Sequence, residues 1–426
     1  TIYMDKQVFK QIIKDNQSEI ERYEVISRNL DIDDFPCVVI VGVRRSGKSY
    51  TLFQKMQQLL KEGHKWDEML YVNFEDERMA DFSTEDFNKL LECHGEMYGT
   101  RPMLFLDEIQ NIDNWEKFAR RMADTGHIVY LTSSNAKKLS GEINTTLGGR
   151  CLVKEIYPYS FKEFLNAHHI PAGQMDIIGT EQRINLMRHY EEYIHDGGLP
   201  AAALLPVRTN YLNSVYQKIY LGDIIARNKI TNVAGMRVLV RKMAESVCRP
   251  ISYNRINSLM SSVGGKLSLA TTIKYIEYCE DAWLLLRLKN YVSCLADKES
   301  NCKYYFIDNG ILRLFLIGKD SMLLENMVAL HLFRKYGHDM ENDHVYFYND
   351  GFEVDFYIPD EELAIQVSYS LRDEETRRRE LDALKKLPNR LSCRRRLVLT
   401  YDEEEQIEDS HGLVEIMPCW KYFLWL

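Results

Sequence analysis

At 426 residues the chain has room for about three domains of the usual ~150 residues each. Its 45% hydrophobic, 27% charged and 11% aromatic content, with 22 Gly and 10 Pro, excludes a disordered, collagenous or linker-dominated protein. A net charge of −9 gives no global pull toward nucleic acid, so any such surface must be a local basic patch.

No apolar run nears the ~18 residues of a membrane span. The opening Thr1-Ile2-Tyr3-Met4-Asp5-Lys6 has neither the basic region nor the hydrophobic core of a signal peptide. Nine cysteines without a C-x-x-C pair are expected as reduced thiols in a cytoplasm rather than as a zinc ribbon or a disulfide framework.

Residues 1–35 read as a polar helix, with Val8, Ile12, Ile13, Ile20 and Tyr23 at roughly helical spacing, ended by an acidic break at 31–36. Short apolar strands then alternate with amphipathic helices. Strands are predicted at 37–43, 69–74, 103–109, 128–133 and 152–157, and the helix carrying Leu52, Phe53, Met56, Leu59 and Leu60 closes at Gly63. Such alternation predicts a parallel sheet covered on both faces, with ligands at the carboxyl ends of its strands. Residues 166–233 read as mainly helical, interrupted by the turn His195-Asp196-Gly197-Gly198-Leu199-Pro200. From 234 to 318, two short helices, a Gly264-Gly265 break, a longer helix and two apolar runs at 286–292 and 304–307 have the layout of a winged helix. The remainder, 319–426, is mixed, with strands at 345–348, 353–358, 363–367 and 396–400.

Gly42-Val43-Arg44-Arg45-Ser46-Gly47-Lys48-Ser49 fits G-x-x-x-x-G-K-[ST] at every fixed position. The glycines let the backbone curl so that successive N–H groups face the β- and γ-phosphates. The helix expected to begin near Lys48 adds its positive end. Lys48 is expected to reach the β/γ oxygens and Ser49 to ligate Mg²⁺, with Tyr50 completing the ATP-binding set. Downstream, Met103-Leu104-Phe105-Leu106-Asp107-Glu108 ends a strand in two carboxylates. Asp107 is expected to hold Mg²⁺, directly or through water, and Glu108 to activate the water that attacks the γ-phosphate. These carboxylates should close a strand neighbouring the loop's own. At the end of the next strand Ser133-Ser134-Asn135 fit either a γ-phosphate contact or a plain turn. Arg150, after Gly148-Gly149, fits either a solvated arginine or a finger acting across a subunit interface, where such a group speeds hydrolysis roughly 10³–10⁵-fold.

Together these residues resemble the AAA+ superfamily of P-loop ATPases. More narrowly, the chain resembles a prokaryotic family that pairs this core with a C-terminal domain of unknown function. Matching stretches are Gly42 to Ser49, Phe105-Leu106-Asp107-Glu108-Ile109-Gln110 and Leu147-Gly148-Gly149-Arg150. They continue through Tyr157-Pro158-Tyr159-Ser160-Phe161-Lys162-Glu163-Phe164, Gly197-Gly198-Leu199-Pro200, Asp223-Ile224-Ile225-Ala226-Arg227 and Tyr305-Phe306-Ile307-Asp308-Asn309-Gly310. The resemblance implies ATP binding, an arginine-finger position at Arg150 and a winged helix from Tyr253 to Ile307.

Glu325 opening a helix, Asp355 on one strand and Gln366 on the next resemble, in their order, the restriction-endonuclease-like fold. There, carboxylates hold Mg²⁺ and a lysine orients the attacking water. Gln366 and Ser368 stand where that pattern has an acid and the lysine. The site is therefore expected to have lost both a metal ligand and its cation, with Arg372 the nearest substitute, leaving an inactive scaffold that grips DNA or protein. Arg377-Arg378-Arg379, Arg394-Arg395-Arg396, Lys266, Lys274, Arg287 and Lys289 are the local positive charge available to DNA. The first cluster reads equally as a helix surface paired with Glu374, Glu375 and Glu380. Tyr275 and Tyr278 are expected to pack.

The expected architecture is thus α/β: an N-terminal helical segment (1–35), an AAA+ P-loop core (36–165), a helical lid or linker (166–233), a winged helix (234–318) and an inactive restriction-endonuclease-like domain (319–426). The expected function is Mg²⁺-dependent hydrolysis of ATP to ADP, with Lys48, Glu108 and Arg150 catalytic, driving the C-terminal domains. The alternatives are a nucleotide-gated DNA-binding switch with slow hydrolysis and an ATPase-coupled nuclease. DNA, a protein or further copies of the chain are the candidate partners, and a membrane is not.

Overall fold

The computed structural model describes residues 5–28, 32, 35–134, 150–174, 179–262, 264, 267–292, 301–337 and 344–426. The chain forms two compact units, Thr1–Ile156 and Tyr157–Leu426.

The first unit is a parallel sheet. Its order of elements is α1 (Lys6–Arg22), β1 (Cys37–Val41), α2 (Lys48–Lys61), β2 (Met69–Asn73), α3 (Asp86–Tyr98), β3 (Met103–Asp107), α4 (Trp115–Asp124), β4 (Val129–Ser133) and β5 (Leu152–Glu155). The five strands lie in the order β2-β3-β4-β1-β5, with every pairing parallel. All five residues of β1, Cys-Val-Val-Ile-Val, are buried, as a central strand covered on both faces requires. Leu52 and Met56 of α2 pack with Val38, Ile40, Phe105 and Tyr130 of the sheet in one core. Helix α1 joins this unit by burying Phe9, Ile12, Ile13 and Ile20, and Asp5 caps it by accepting from the Gln7 amide. Of the expected acidic break, Asp31, Asp33 and Asp34 lie outside the described residues.

Two expectations are corrected here. The two Asp107-side and loop-side strands are not neighbours, because β4 lies between β1 and β3. Nor are the thiols all reduced: Cys37 and Cys151 form a disulfide, since the starts of the parallel strands β1 and β5 place their Cα atoms 4.4 Å apart.

The second unit contains α5 (Phe161–Ala167), α6 (Thr180–Asp196), α7 (Pro200–Ala203), α8 (Thr209–Gln217), a π-helical stretch Lys218–Ala226, α9 (Val233–Glu245), β6 (Ile251–Ser252), α10 (Tyr253–Ser262) and α11 (Leu269–Asp281). It continues with β7 (Leu285–Asn290), β8 (Asn301–Phe306), α12 (Asn309–Arg313), α13 (Asp320–Tyr336), β9 (Tyr346–Asn349), β10 (Glu353–Ile358), β11 (Leu363–Val367), α14 (Glu374–Lys386), β12 (Arg395–Thr400), β13 (Glu405–Asp409), β14 (Gly412–Pro418) and α15 (Cys419–Trp425). Its strands form one nine-stranded mixed sheet, β13-β14-β12-β11-β10-β9-β7-β8-β6. The antiparallel pair β7–β8, which follows α10 and α11, joins β9 of the C-terminal region through the parallel register Lys289↔Tyr346.

Three stretches that carried the family resemblance meet in this unit. The carboxylate of Asp308 accepts from the Gly198 amide at 2.7 Å, the Gly310 amide at 2.9 Å and the Ile311 amide at 3.2 Å. A Cβ at Gly198 would come within 2.3 Å of the Tyr159 carbonyl oxygen, and one at Gly310 within 2.3 Å of the Asp196 carbonyl oxygen. Close backbone approach, rather than chemistry, is what these glycines provide.

Candidate functional site

Beyond β1 the chain turns sharply into α2. Gly42 passes so near β5 that a Cβ would lie 2.2 Å from the Ile156 carbonyl oxygen. Arg45 (φ 68°) and Gly47 (φ 99°) take the left-handed conformation, and the Ser46 amide donates to the Val43 carbonyl at 3.2 Å. Gly47 is the N-cap of α2, so Lys48 and Ser49 occupy its first turn. Arg28, buried, braces the loop from outside by donating to the Ser46 carbonyl at 2.7 Å. Arg44 points to Glu75, and the Tyr50 ring lies against Tyr23 and Phe53.

Lys48 is buried. Its ammonium donates to the carbonyls of Gly42 (3.3 Å) and Val43 (3.2 Å) and lies 3.3 Å from the Glu108 carboxylate. Glu108 follows β3 in a left-handed conformation (φ 53°), which turns it away from the strand direction. Burial alone would push its carboxyl up, but the Lys48 ammonium, with Gln110 donating to it, holds it below the usual carboxylate range. Asp107 is pushed the other way, first by complete burial and then by the adjacent Glu108 charge. Ser49, Thr132 and Tyr71 donate to it, Tyr71 at 2.8 Å.

The intervening strand β4 explains how these groups are registered. Thr132, buried on β4, donates to Asp107 and accepts from the Glu108 amide at 2.9 Å, so one hydroxyl fixes both acids. Ser133 and Ser134 are buried at the end of the same strand, and Ser134 accepts from Gln110 at 3.1 Å. Sequence reasoning missed Arg28, Tyr71, Thr132 and the positioning by Gln110. Only Gln110 left a signal, through its place in the stretch Phe105 to Gln110.

The donor set fits a hydrated Mg²⁺. The Ser49 hydroxyl and the Asp107 carboxylate are hard oxygen donors side by side, and the Ser46 hydroxyl is buried within the loop without a hydrogen-bond partner. Arg150 is elsewhere. It precedes β5 at the amino-terminal edge of the sheet and pairs with Asp124 at the end of α4. Asn135, Leu147, Gly148 and Gly149 lie outside the described residues.

In the second unit, Glu325, Asp355 and Gln366 line one cavity of about 770 Å³. The expectation that this place has lost its cation is corrected. Lys303 of β8 supplies one, 2.9 Å from Asp355, whereas Arg372 is exposed at the surface near Asp402 and Glu403. Ser368 donates to the Ser370 carbonyl. The basic clusters are paired: Arg377 with Glu405, Arg378 with Asp382, Arg379 with Glu380, Arg394 with Glu362, Arg395 with Glu415 and Arg396 with Asp409. Of these acids only Glu380 was expected. Lys266 lies outside the described residues, Arg287 pairs with Glu280, and Tyr275 is buried.

A family model of an AAA domain matches residues 34–165, and two models of domains of unknown function match 187–322 and 321–422. The uncharacterized protein MJ1544 of Methanocaldococcus jannaschii is 34% identical over 437 residues, spanning 99% of this chain and 96% of that protein. The chain belongs to a prokaryotic family of AAA+ P-loop ATPases with C-terminal domains of unknown function. An uncharacterized protein of Haemophilus influenzae is also similar, 32% identical over 78% of this chain and 82% of its own. Among solved structures, a Walker-type ATPase of Pyrococcus abyssi covers 74% of this chain and 96% of its own at 12% identity and a TM-score of 0.38. For AMPPCP-bound DnaA from Aquifex aeolicus the shares are 66% and 89%, at 14% identity and a TM-score of 0.25. No helix among the described residues of this AAA+ ATPase is long and apolar enough to cross a membrane.

Proposed function

We propose that the protein hydrolyses ATP to ADP and phosphate in a Mg²⁺-dependent reaction at residues 42–49, with Glu108 as general base. The observation that carries this reading is the placement of the Glu108 carboxylate, ionised and 3.3 Å from the Lys48 ammonium, at the mouth of the phosphate loop. When the triphosphate enters, Lys48 exchanges its contacts with the Gly42 and Val43 carbonyls and Glu108 for the β/γ oxygens. Glu108, still positioned by Gln110, is then free to take a proton from water. The water oxygen forms a bond to the γ-phosphorus as the bond to the β-bridging oxygen breaks, and ADP leaves with that electron pair. Ser49 and Asp107 would hold Mg²⁺, which supplies charge neutralisation on the phosphates. Ser133 and Ser134 line the γ-phosphate end.

Steady-state phosphate release by Lys48→Ala and Glu108→Gln tests the mechanism. Both should fall by roughly 10²-fold or more, the usual weight of a general base or a phosphate clamp. Full turnover in both would refute it.

Arg150 lies at the sheet edge opposite the loop, so a finger role belongs to the loop of a neighbouring copy. Arg150→Ala should then lose turnover and regain part of it when mixed with Lys48→Ala protein. Additive rates on mixing would assign Arg150 to its pair with Asp124 alone.

A further inference from the structure

The cavity of about 770 Å³ in the second unit is lined by Glu325 of α13, Glu353 and Asp355 of β10 and Gln366 of β11. Glu380 and Asp382, with Arg249, Arg379 and Lys386, line the hollow as well. The three acids Glu325, Glu353 and Asp355 that converge on one point would ordinarily repel one another or gather a cation. Here Lys303 of β8 answers them. Its side chain is wholly buried, with the ammonium 2.9 Å from Glu353, 2.9 Å from Asp355 and 3.3 Å from Glu325. An ammonium carries three N–H donors, and each has a carboxylate. The ring of Phe347 stands 5.7 Å away on another side.

The surrounding groups are equally committed. Tyr305 donates to Glu325 at 2.9 Å, and the second oxygen of Asp355 accepts from the Val367 amide at 2.9 Å. Gln366 accepts from the Asp355 amide at 2.7 Å and donates to Glu380 at 2.6 Å. Among the described residues, no three His, Cys, Asp or Glu side chains are grouped so as to hold a metal ion. The carboxylates converge on the ammonium instead.

We propose that Lys303 is a tethered cation standing where these carboxylates would otherwise bind a divalent metal, which makes the cavity a metal-independent site. In this state each Lys303 donor faces a carboxylate, and none is directed at the open cavity. On this proposal the carboxylates do not gather a metal for phosphodiester cleavage as long as Lys303 holds them. The nucleotide loop plays no part in this.

The test is a Mn²⁺ titration of nucleotide-free, full-length protein read by electron paramagnetic resonance, in an Asp107→Asn background that removes the loop's own metal ligand. The parent should leave added Mn²⁺ free. Lys303→Met, which keeps the volume of the stem, should take up one Mn²⁺ per chain, roughly 10-fold or more tighter than the parent, and lose it again with Asp355→Asn. Mn²⁺ uptake by the parent that Asp355→Asn abolishes would overturn the proposal, as would a folded Lys303→Met that binds none. Should Lys303→Met fail to fold, the parent and its Asp355→Asn partner decide the matter between them.

Discussion

The Thr132 hydroxyl serves Asp107 and the Glu108 amide at once. Replacing it with the near-isosteric valine leaves Asp107 short of a donor in a fully buried place. Thr132→Val should therefore lower kcat by roughly 10-fold or more, the range typical of lost groups that orient a metal or base ligand. The affinity for ADP without metal should change little, because the loop amides and Lys48 are untouched. A fall in ADP affinity equal to the fall in kcat would show that Thr132 holds the loop rather than the acids. At this scale the sequence was most informative about the groups proposed to meet the nucleotide, since Gly42 to Ser49 and Asp107-Glu108 form local motifs. It was silent about Arg28, Tyr71 and Thr132, whose roles depend on which strands become neighbours.

A second residue gives a pH signature. His331 on α13 lies against the rings of Tyr422 and Phe423, and burial, aided by Arg334 and Lys335, holds its imidazole down at about 3. The unfolded chain, with an ordinary histidine near 6.5, then binds the extra proton first as the pH falls. Stability contributed by this group is full above 6.5 and is lost as the pH drops toward 3, by up to about 1.4 kcal/mol per pH unit. Urea unfolding of wild type and His331→Phe at pH 7 and pH 5 checks this. The difference between the two proteins should shift in favour of the phenylalanine at pH 5, and a constant difference would rule the account out.

Elements are held by groups far apart in sequence. Asp308 joins the start of α12 to the turn before α7, accepting from Gly198, Gly310 and Ile311. Burial pushes its carboxyl up to about 6 against the pull of those amides. Asp308→Ala would leave buried amides unpaired at about 1–3 kcal/mol each. Denaturant unfolding should show a loss of several kcal/mol, and a loss under 1 kcal/mol would contradict this role for the Asp308 turn. The strands of the first unit were legible to within two residues, because buried parallel strands are continuous apolar runs. The hairpin β13–β14 was not, since β13 is the charged run Glu-Gln-Ile-Glu-Asp with no buried residue and β14 buries only Val414, Ile416 and Pro418. The spacing of Glu325, Asp355 and Gln366 was readable, yet the cation that completes them comes from β8, 52 residues before Asp355. No local pattern announces such a partner.

For the whole molecule, the division into an AAA+ unit and a larger C-terminal unit follows from two separate sheets. Sequence reading found the change of pattern near residue 160 but read the remainder as successive modules. Strand pairing between β7 and β9 was invisible because parallel register between distant segments leaves no periodic trace. The disulfide Cys37–Cys151, separated by 114 residues, was missed for the same reason. All other proposals about activity depend on whether the loop at 42–49 receives a triphosphate. Calorimetric titration of the full chain with Mg·ATP is the most direct measurement. Uptake of one ATP per chain that Lys48→Ala abolishes or weakens by roughly 10-fold or more is predicted, whereas no uptake at millimolar ATP, or identical uptake by Lys48→Ala, would contradict the account.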